Sequence, residues 1–99
     1  MPFLNDSDPK VGSTVHGSPA VVKLWMTRHI KSGVSTVQVF DAAGREVDNR
    51  DAKVDPDDPT LLAVSVPKLA SGTYKVTWTA VCIDTHMTHG SFTFDVAGP

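Results

Sequence analysis

Apolar and polar residues alternate along much of this chain with the two-residue period of a half-buried strand. Val22, Leu24 and Met26 interleave with Lys23, Trp25 and Thr27, which predicts a strand with one face on a core and Trp25 covering the other. "STVQVFD" sets Val37 and Val39 on one face, and Leu62, Val64 and Val66 alternate in the same way. The longest run is "ASGTYKVTWTAVCID". Tyr74, Val76, Trp78, Ala80 and Cys82 share one face of it, Lys75, Thr77 and Thr79 the other, and the strand is expected to reach about Ile83. Phe92, Phe94 and Val96 alternate with Ser91, Thr93 and Asp95 in a final strand expected to begin at Ser91. No window carries an apolar stripe of helical period, so no helix longer than a turn is expected.

Turn chemistry separates these runs. Asp41-Ala-Ala-Gly44 makes a short connection, and "DPDDP" at 55 to 59 is an exposed turn, because each proline lacks a donor and drives the preceding residue out of the helical region. The opening "NDSDPKVGSTVHGSP" is rich in Gly, Ser and Pro and is expected to run extended along the fold. About seven short antiparallel strands at this spacing predict an all-β sandwich or Greek-key barrel.

Bulk properties narrow the function. The chain has 99 residues, 40% of them hydrophobic, which suits a single domain over 1–99 with a thin but real core. Nine Lys and Arg against eleven Asp and Glu, scattered singly, provide no footprint for a nucleic-acid backbone. No run approaches the roughly 20 apolar residues that span a bilayer, and Met1-Pro2-Phe3 opens without the pattern of a signal peptide. Cys82 is the only cysteine, so there is no internal disulfide and no CxxC metal site. No paired carboxylates or Ser/His/Asp set suggests catalysis, and an enzyme is not expected.

Candidate chemistry is concentrated in "CIDTHMTHG", residues 82 to 90. Asp84 and His86, two apart, would project to one side at the mouth between the last two strands. A carboxylate beside an imidazole suits a borderline divalent ion, copper(II) ahead of zinc on intrinsic affinity. His89 joins them if the chain turns at Met87-Thr88, and Met87 offers a thioether. The same residues also suit a plain polar hairpin, in which Asp84 accepts turn hydrogen bonds and the histidines are solvated. His16 and His29 read as surface residues, Cys82 as a small core residue, and Trp25 and Trp78 as core aromatics.

Longer segments carry a resemblance. "FLNDSDPKVGSTV", "VVKLWMTRHI", "STVQVFDAAGREVD" and above all "LASGTYKVTWTAVCIDTHMTHGSFTFDV" occur in the order and spacing of the CopC family of periplasmic copper-binding proteins, which this sequence resembles over nearly its whole length. The resemblance implies an immunoglobulin-like Greek-key β-sandwich that binds copper(II) and sequesters or hands it on in the periplasm, often beside an inner-membrane copper importer. It implies Asp84 and His86 as ligands. The third family ligand, an amino-terminal histidine chelating through amine and imidazole, has no match, because Met1 stands in its place. The expected set is therefore Asp84, His86 and the Met1 amine, with His89 as an addition the family pattern does not contain. Met26 and Met87 are isolated, so the methionine cluster that serves copper(I) in some family members is not expected here. The alternative reading is a non-catalytic interaction domain with a vestigial metal loop.

Overall fold

The structure, a computed structural model, describes residues 1–98. Eight strands follow one another: β1 (Leu4–Asp8), β2 (Thr14–His16), β3 (Val21–Met26), β4 (Thr36–Phe40), β5 (Lys53–Asp55), β6 (Asp58–Ser65), β7 (Gly72–Val81) and β8 (Met87–Ala97). They form two four-stranded sheets, β1-β3-β6-β5 and β2-β8-β7-β4, packed face to face. The described residues contain no helix, as the period-two pattern requires.

Two details differ from the sequence expectation. There are eight strands rather than about seven, because the polar opening segment supplies β1 to one sheet and β2 to the other instead of running alongside both. One pair is also not antiparallel: β2 lies parallel to the end of β8, with Thr14 opposite Asp95 and His16 opposite Ala97. Neither short edge strand carries a clean alternation, since an edge strand gains much of its stability from backbone pairing to its neighbour.

The core contains the predicted faces. Val22, Leu24, Val37, Val39, Leu62, Val64, Val76 and Phe94 are each at most 1% exposed, and burying such a side chain contributes about 1.5–3 kcal/mol. Tyr74 stacks on Phe94 with centroids 5.7 Å apart, and its hydroxyl donates to the Ala70 carbonyl at 2.6 Å, so its polar tip is satisfied. Trp78 belongs to this core, but Trp25 does not. It is half-buried on the outward face of β3, between Asp6 and Leu61 on the flanking strands. Gly90, directly across from Trp78, leaves room for the indole: a Cβ there would lie 2.7 Å from Trp78 Cζ2.

The sheets' longest pairing sets up the functional end. β7 and β8 stay in register from Gly72 opposite Val96 to Val81 opposite Met87, so their connecting turn, residues 82–86, emerges at one end of the sandwich. The amino terminus is tied to that end. Phe3 exchanges backbone and side-chain hydrogen bonds with Thr27, at 2.8 and 2.9 Å, and Thr88 Oγ1 donates to the Pro2 carbonyl.

Candidate metal centre

The β7–β8 turn is a tight backbone loop. Cys82 N–H donates to the His86 carbonyl at 2.9 Å and Thr85 N–H to the Cys82 carbonyl at 2.8 Å. Closing it puts Thr85 at φ 73°, a left-handed conformation that a β-branched residue adopts at a cost. β7 thus ends at Val81, short of Ile83, and β8 begins at Met87, four residues before Ser91. Asp84 and His86 are brought together by the turn, not by strand alternation.

In this turn the donor atoms converge. Asp84 Oδ2 is 3.3 Å from His86 Nδ1, and Asp84 Oδ1 accepts the His86 backbone N–H at 3.2 Å and the Cys82 thiol. Cys82, Asp84 and His86 each offer a ligand atom, and these atoms all lie within 4.8 Å of one another. Asp84 and His86 are open to solvent, with side chains 62% and 64% exposed, whereas Cys82 is 3% exposed beneath them. The Asp84 carboxyl is held below its ordinary value, first by the thiol hydrogen bond and next by the His86 backbone N–H. The His86 imidazole and the Met1 amino group add to this, and partial desolvation opposes it. A carboxylate so supported stays ionised and available to a cation across the neutral range.

A depression opens over this group, lined by Met1, Thr27, Arg28, His29, Cys82, Ile83, Asp84 and His86. Met1 therefore lines the same depression as Asp84 and His86. His89 does not. With β8 starting at Met87, His89 is a strand residue opposite Thr79, and it lines a separate depression on the outer sheet face with Thr36, Gln38 and Thr77. The expected turn at Met87-Thr88 would have freed it to swing inward; the turn occurs earlier, and strand alternation sends Thr88 into the structure and His89 out. His16 pairs with Ala97 at the far end of β8, about 30 Å of strand away from the turn.

Two residues outside the expected ligand set belong to this end of the molecule. His29 lines the same depression because its neighbour Ile30 forms a bridge to Cys82 and donates its N–H to the Pro59 carbonyl at 2.9 Å. That long-range pairing has no local signature. Cys82 has the burial expected of it, but its sulfur also meets Asp84, and the only clue in the sequence was the two-residue spacing between them.

The family model of the CopC domain matches residues 4–97. The crystal structure of CopC from Methylosinus trichosporium OB3b superposes with a TM-score of 0.93 at 31% identity, covering 99% of this chain and 95% of that one. PcoC, a methionine-rich copper resistance protein from Escherichia coli, gives a TM-score of 0.76 at 30% identity, covering 98% and 99%. Protein YobA of Escherichia coli strain K12 is 28% identical over 89 residues, which are 89% of this chain and 72% of that protein.

Proposed function

The chain belongs to the CopC family, and on that premise we propose that it binds copper(II) at the β7–β8 turn as a carrier or sequestering protein rather than an enzyme. The observation that carries this reading is the side-by-side placement of the Asp84 carboxylate and the His86 imidazole, 3.3 Å apart, on an exposed turn beside a depression that Met1 also lines. The copper resistance role of PcoC supports copper as the ion. The proposed ligands are Asp84 and His86, with the Met1 amine completing the set where the chain starts at that residue. His89, on the outer sheet face, is left out of it.

Chemically, an imidazole nitrogen and a carboxylate oxygen satisfy two positions of the tetragonal N/O arrangement copper(II) prefers. An exposed site with few protein ligands leaves positions open to water or to an incoming donor, which suits acquisition and release. We place the protein in the periplasm by family, and an inner-membrane importer as the recipient of its copper.

The test is a copper(II) titration against a competing chelator, with electron paramagnetic resonance on the equimolar sample. It compares the parent, Asp84→Ala, His86→Ala and a Met1→His form with a free amino terminus. Tight binding in the parent, lost in both alanine variants and strengthened with a more nitrogen-rich spectrum in Met1→His, is the expected result. Binding unchanged in either alanine variant would remove the site assignment. No specific binding by the parent or by Met1→His would leave an interaction domain with a vestigial loop.

A further inference from the structure

Cys82 stands beneath the copper ligands and has no part in the proposed copper(II) site. Its sulfur is buried, yet it forms part of the floor of the depression and points at Asp84. Three chemically different donors therefore lie together: a thiol sulfur, a carboxylate oxygen and an imidazole nitrogen, all within 4.8 Å of one another. Around a tetrahedral closed-shell ion with bonds of about 2.0 Å to nitrogen and oxygen and about 2.3 Å to sulfur, donors sit roughly 3.3–3.7 Å apart. The Asp84 Oδ2 to His86 Nδ1 separation is already 3.3 Å. The carboxylate and imidazole are thus already at the spacing of such an ion, and the Cys82 sulfur, now hydrogen-bonded to Asp84 Oδ1, joins them by giving up that bond to the ion.

Sulfur changes which ions the turn prefers. A thiolate is a soft ligand that selects copper(I) and zinc over harder cations. We propose that Cys82 is a sulfur ligand of this turn, and that Cys82, Asp84 and His86 together take a thiophilic closed-shell cation, zinc(II) or copper(I). Loading replaces the S–H bond by a sulfur–metal bond and releases the thiol proton to solvent, with no change of oxidation state. This differs from the sequence expectation of no copper(I) site, which weighed methionines alone. It deepens the metal-site reading of the turn, on which it rests.

The test uses the parent, Cys82→Ser and His86→Ala, each titrated with zinc(II) and, under a reductant without oxygen, with copper(I) against a competing chelator. X-ray absorption on the loaded parent reports the ligands directly. One sulfur scatterer at about 2.3 Å, and affinity at least tenfold weaker in Cys82→Ser, is the expected result, and the ion showing the larger drop is the one the site is built for. Serine preserves the size of the side chain and its hydrogen bond to Asp84, so copper(II) binding should change by no more than a few-fold in that variant. No sulfur scatterer in the parent, or equal affinities in parent and Cys82→Ser for both ions, would overturn the inference. The two readings fail separately. Loss of copper(II) binding with sulfur-bound zinc retained removes only the copper(II) proposal, and copper(II) bound through His86 without sulfur ligation of either ion removes only this one.

Discussion

The molecule contains the same turn twice and uses it for different ends. In residues 41–45, after β4, Asp41 N–H donates to the Arg45 carbonyl at 2.9 Å and Gly44 N–H to the Asp41 carbonyl at 3.0 Å. In residues 82–86 the same two bonds join Cys82 with His86 and Thr85 with Cys82. The left-handed position holds Gly44 at φ 83° in the first and Thr85 at φ 73° in the second. Both have the form of a three-residue hairpin loop whose last member takes the left-handed conformation. The first loop spends its carboxylate on itself: Asp41 Oδ1 accepts the Ala43 and Arg45 N–H groups at 3.0 and 2.9 Å. The second moves its carboxylate to the middle of the turn, flanks it with sulfur and imidazole, and fills the left-handed position with a strained threonine. One loop is built for stability. The other gives up stability and gains converging donors, and strain of that kind is often found at functional sites.

The largest effect expected from this comparison is on copper. Asp84→Ala or His86→Ala should each weaken copper(II) binding by about 100-fold or more, the scale on which loss of a metal ligand or its close partner acts. Both variants should stay folded, because the two side chains are mostly exposed, with Asp84→Ala also giving up the hydrogen bonds from the Cys82 thiol and the His86 N–H. Asp41→Ala should do the opposite. It leaves copper binding unchanged and costs about 1 kcal/mol of stability through the lost turn hydrogen bonds. Equal copper loss in Asp41→Ala would mean that the second turn has no special chemistry.

The pH windows of binding and folding should also separate. A metal held by imidazole is displaced by protons near the range where free imidazole titrates, about pH 6.5, so copper affinity should fall steadily between pH 7 and 5. Asp84 has a lowered folded-state value, so it stays ionised through that window. Asp6, Asp51 and Asp58 are lowered as well, by hydrogen bonds from Lys10, Ser65 and Thr60 respectively. Carboxyls lowered by folding contribute stability that is fully present above their unfolded value and is lost as pH falls through the folded one. Their share of acid unfolding is therefore confined below about pH 4. A copper affinity that stays flat between pH 8 and about pH 5, measured by chelator competition, would argue against a histidine ligand.

The sequence conveyed the two turns unequally. Asp41-Ala-Ala-Gly44 was readable as a connection, since glycine at its end marks the left-handed residue. Thr85 gave no such sign, so β7 was drawn too long and β8 too short, and the turn fell at Met87-Thr88. That single displacement is what put His89 among the ligands. The central strands were legible because burial imposes a period of two on Val22 to Met26, Tyr74 to Cys82 and Phe92 to Val96. β1, β2 and β5 were not, because their positions depend on pairing to partners distant in sequence. Asp84 and His86 were found by type and proximity. His29 reaches the same depression only through the Ile30–Cys82 bridge, which nothing local encodes.

Exchanging the left-handed residues gives smaller effects of opposite sign. Gly44→Thr forces a β-branched side chain into the conformation that glycine now occupies, and should cost about 1–2 kcal/mol, which in a domain of this size lowers the midpoint of thermal unfolding by several degrees. No neighbouring atom lies within 4 Å of a Cβ at that position, so the cost would come from the backbone alone.

Thr85→Gly relieves the corresponding strain, but glycine adds freedom to the unfolded chain worth about 0.5–1 kcal/mol against it. The net gain should be no more than about 1 kcal/mol. Its effect on metal is the more telling one. Thr85 Oγ1 donates to the Asp84 carbonyl at 2.6 Å, so both the hydroxyl and the restricted backbone help to hold Asp84 between Cys82 and His86. A glycine turn keeps every ligand but loosens their mutual placement, and ordering them on binding then costs entropy that the threonine turn has already spent in folding. A protein that melts higher yet binds copper(II) several-fold more weakly is the expected result, read by calorimetry and chelator competition on the same sample. If Thr85→Gly raised both stability and affinity, the strain at Thr85 would be incidental, and the donors would owe their convergence to the hydrogen-bonded frame that the Asp41 turn shares.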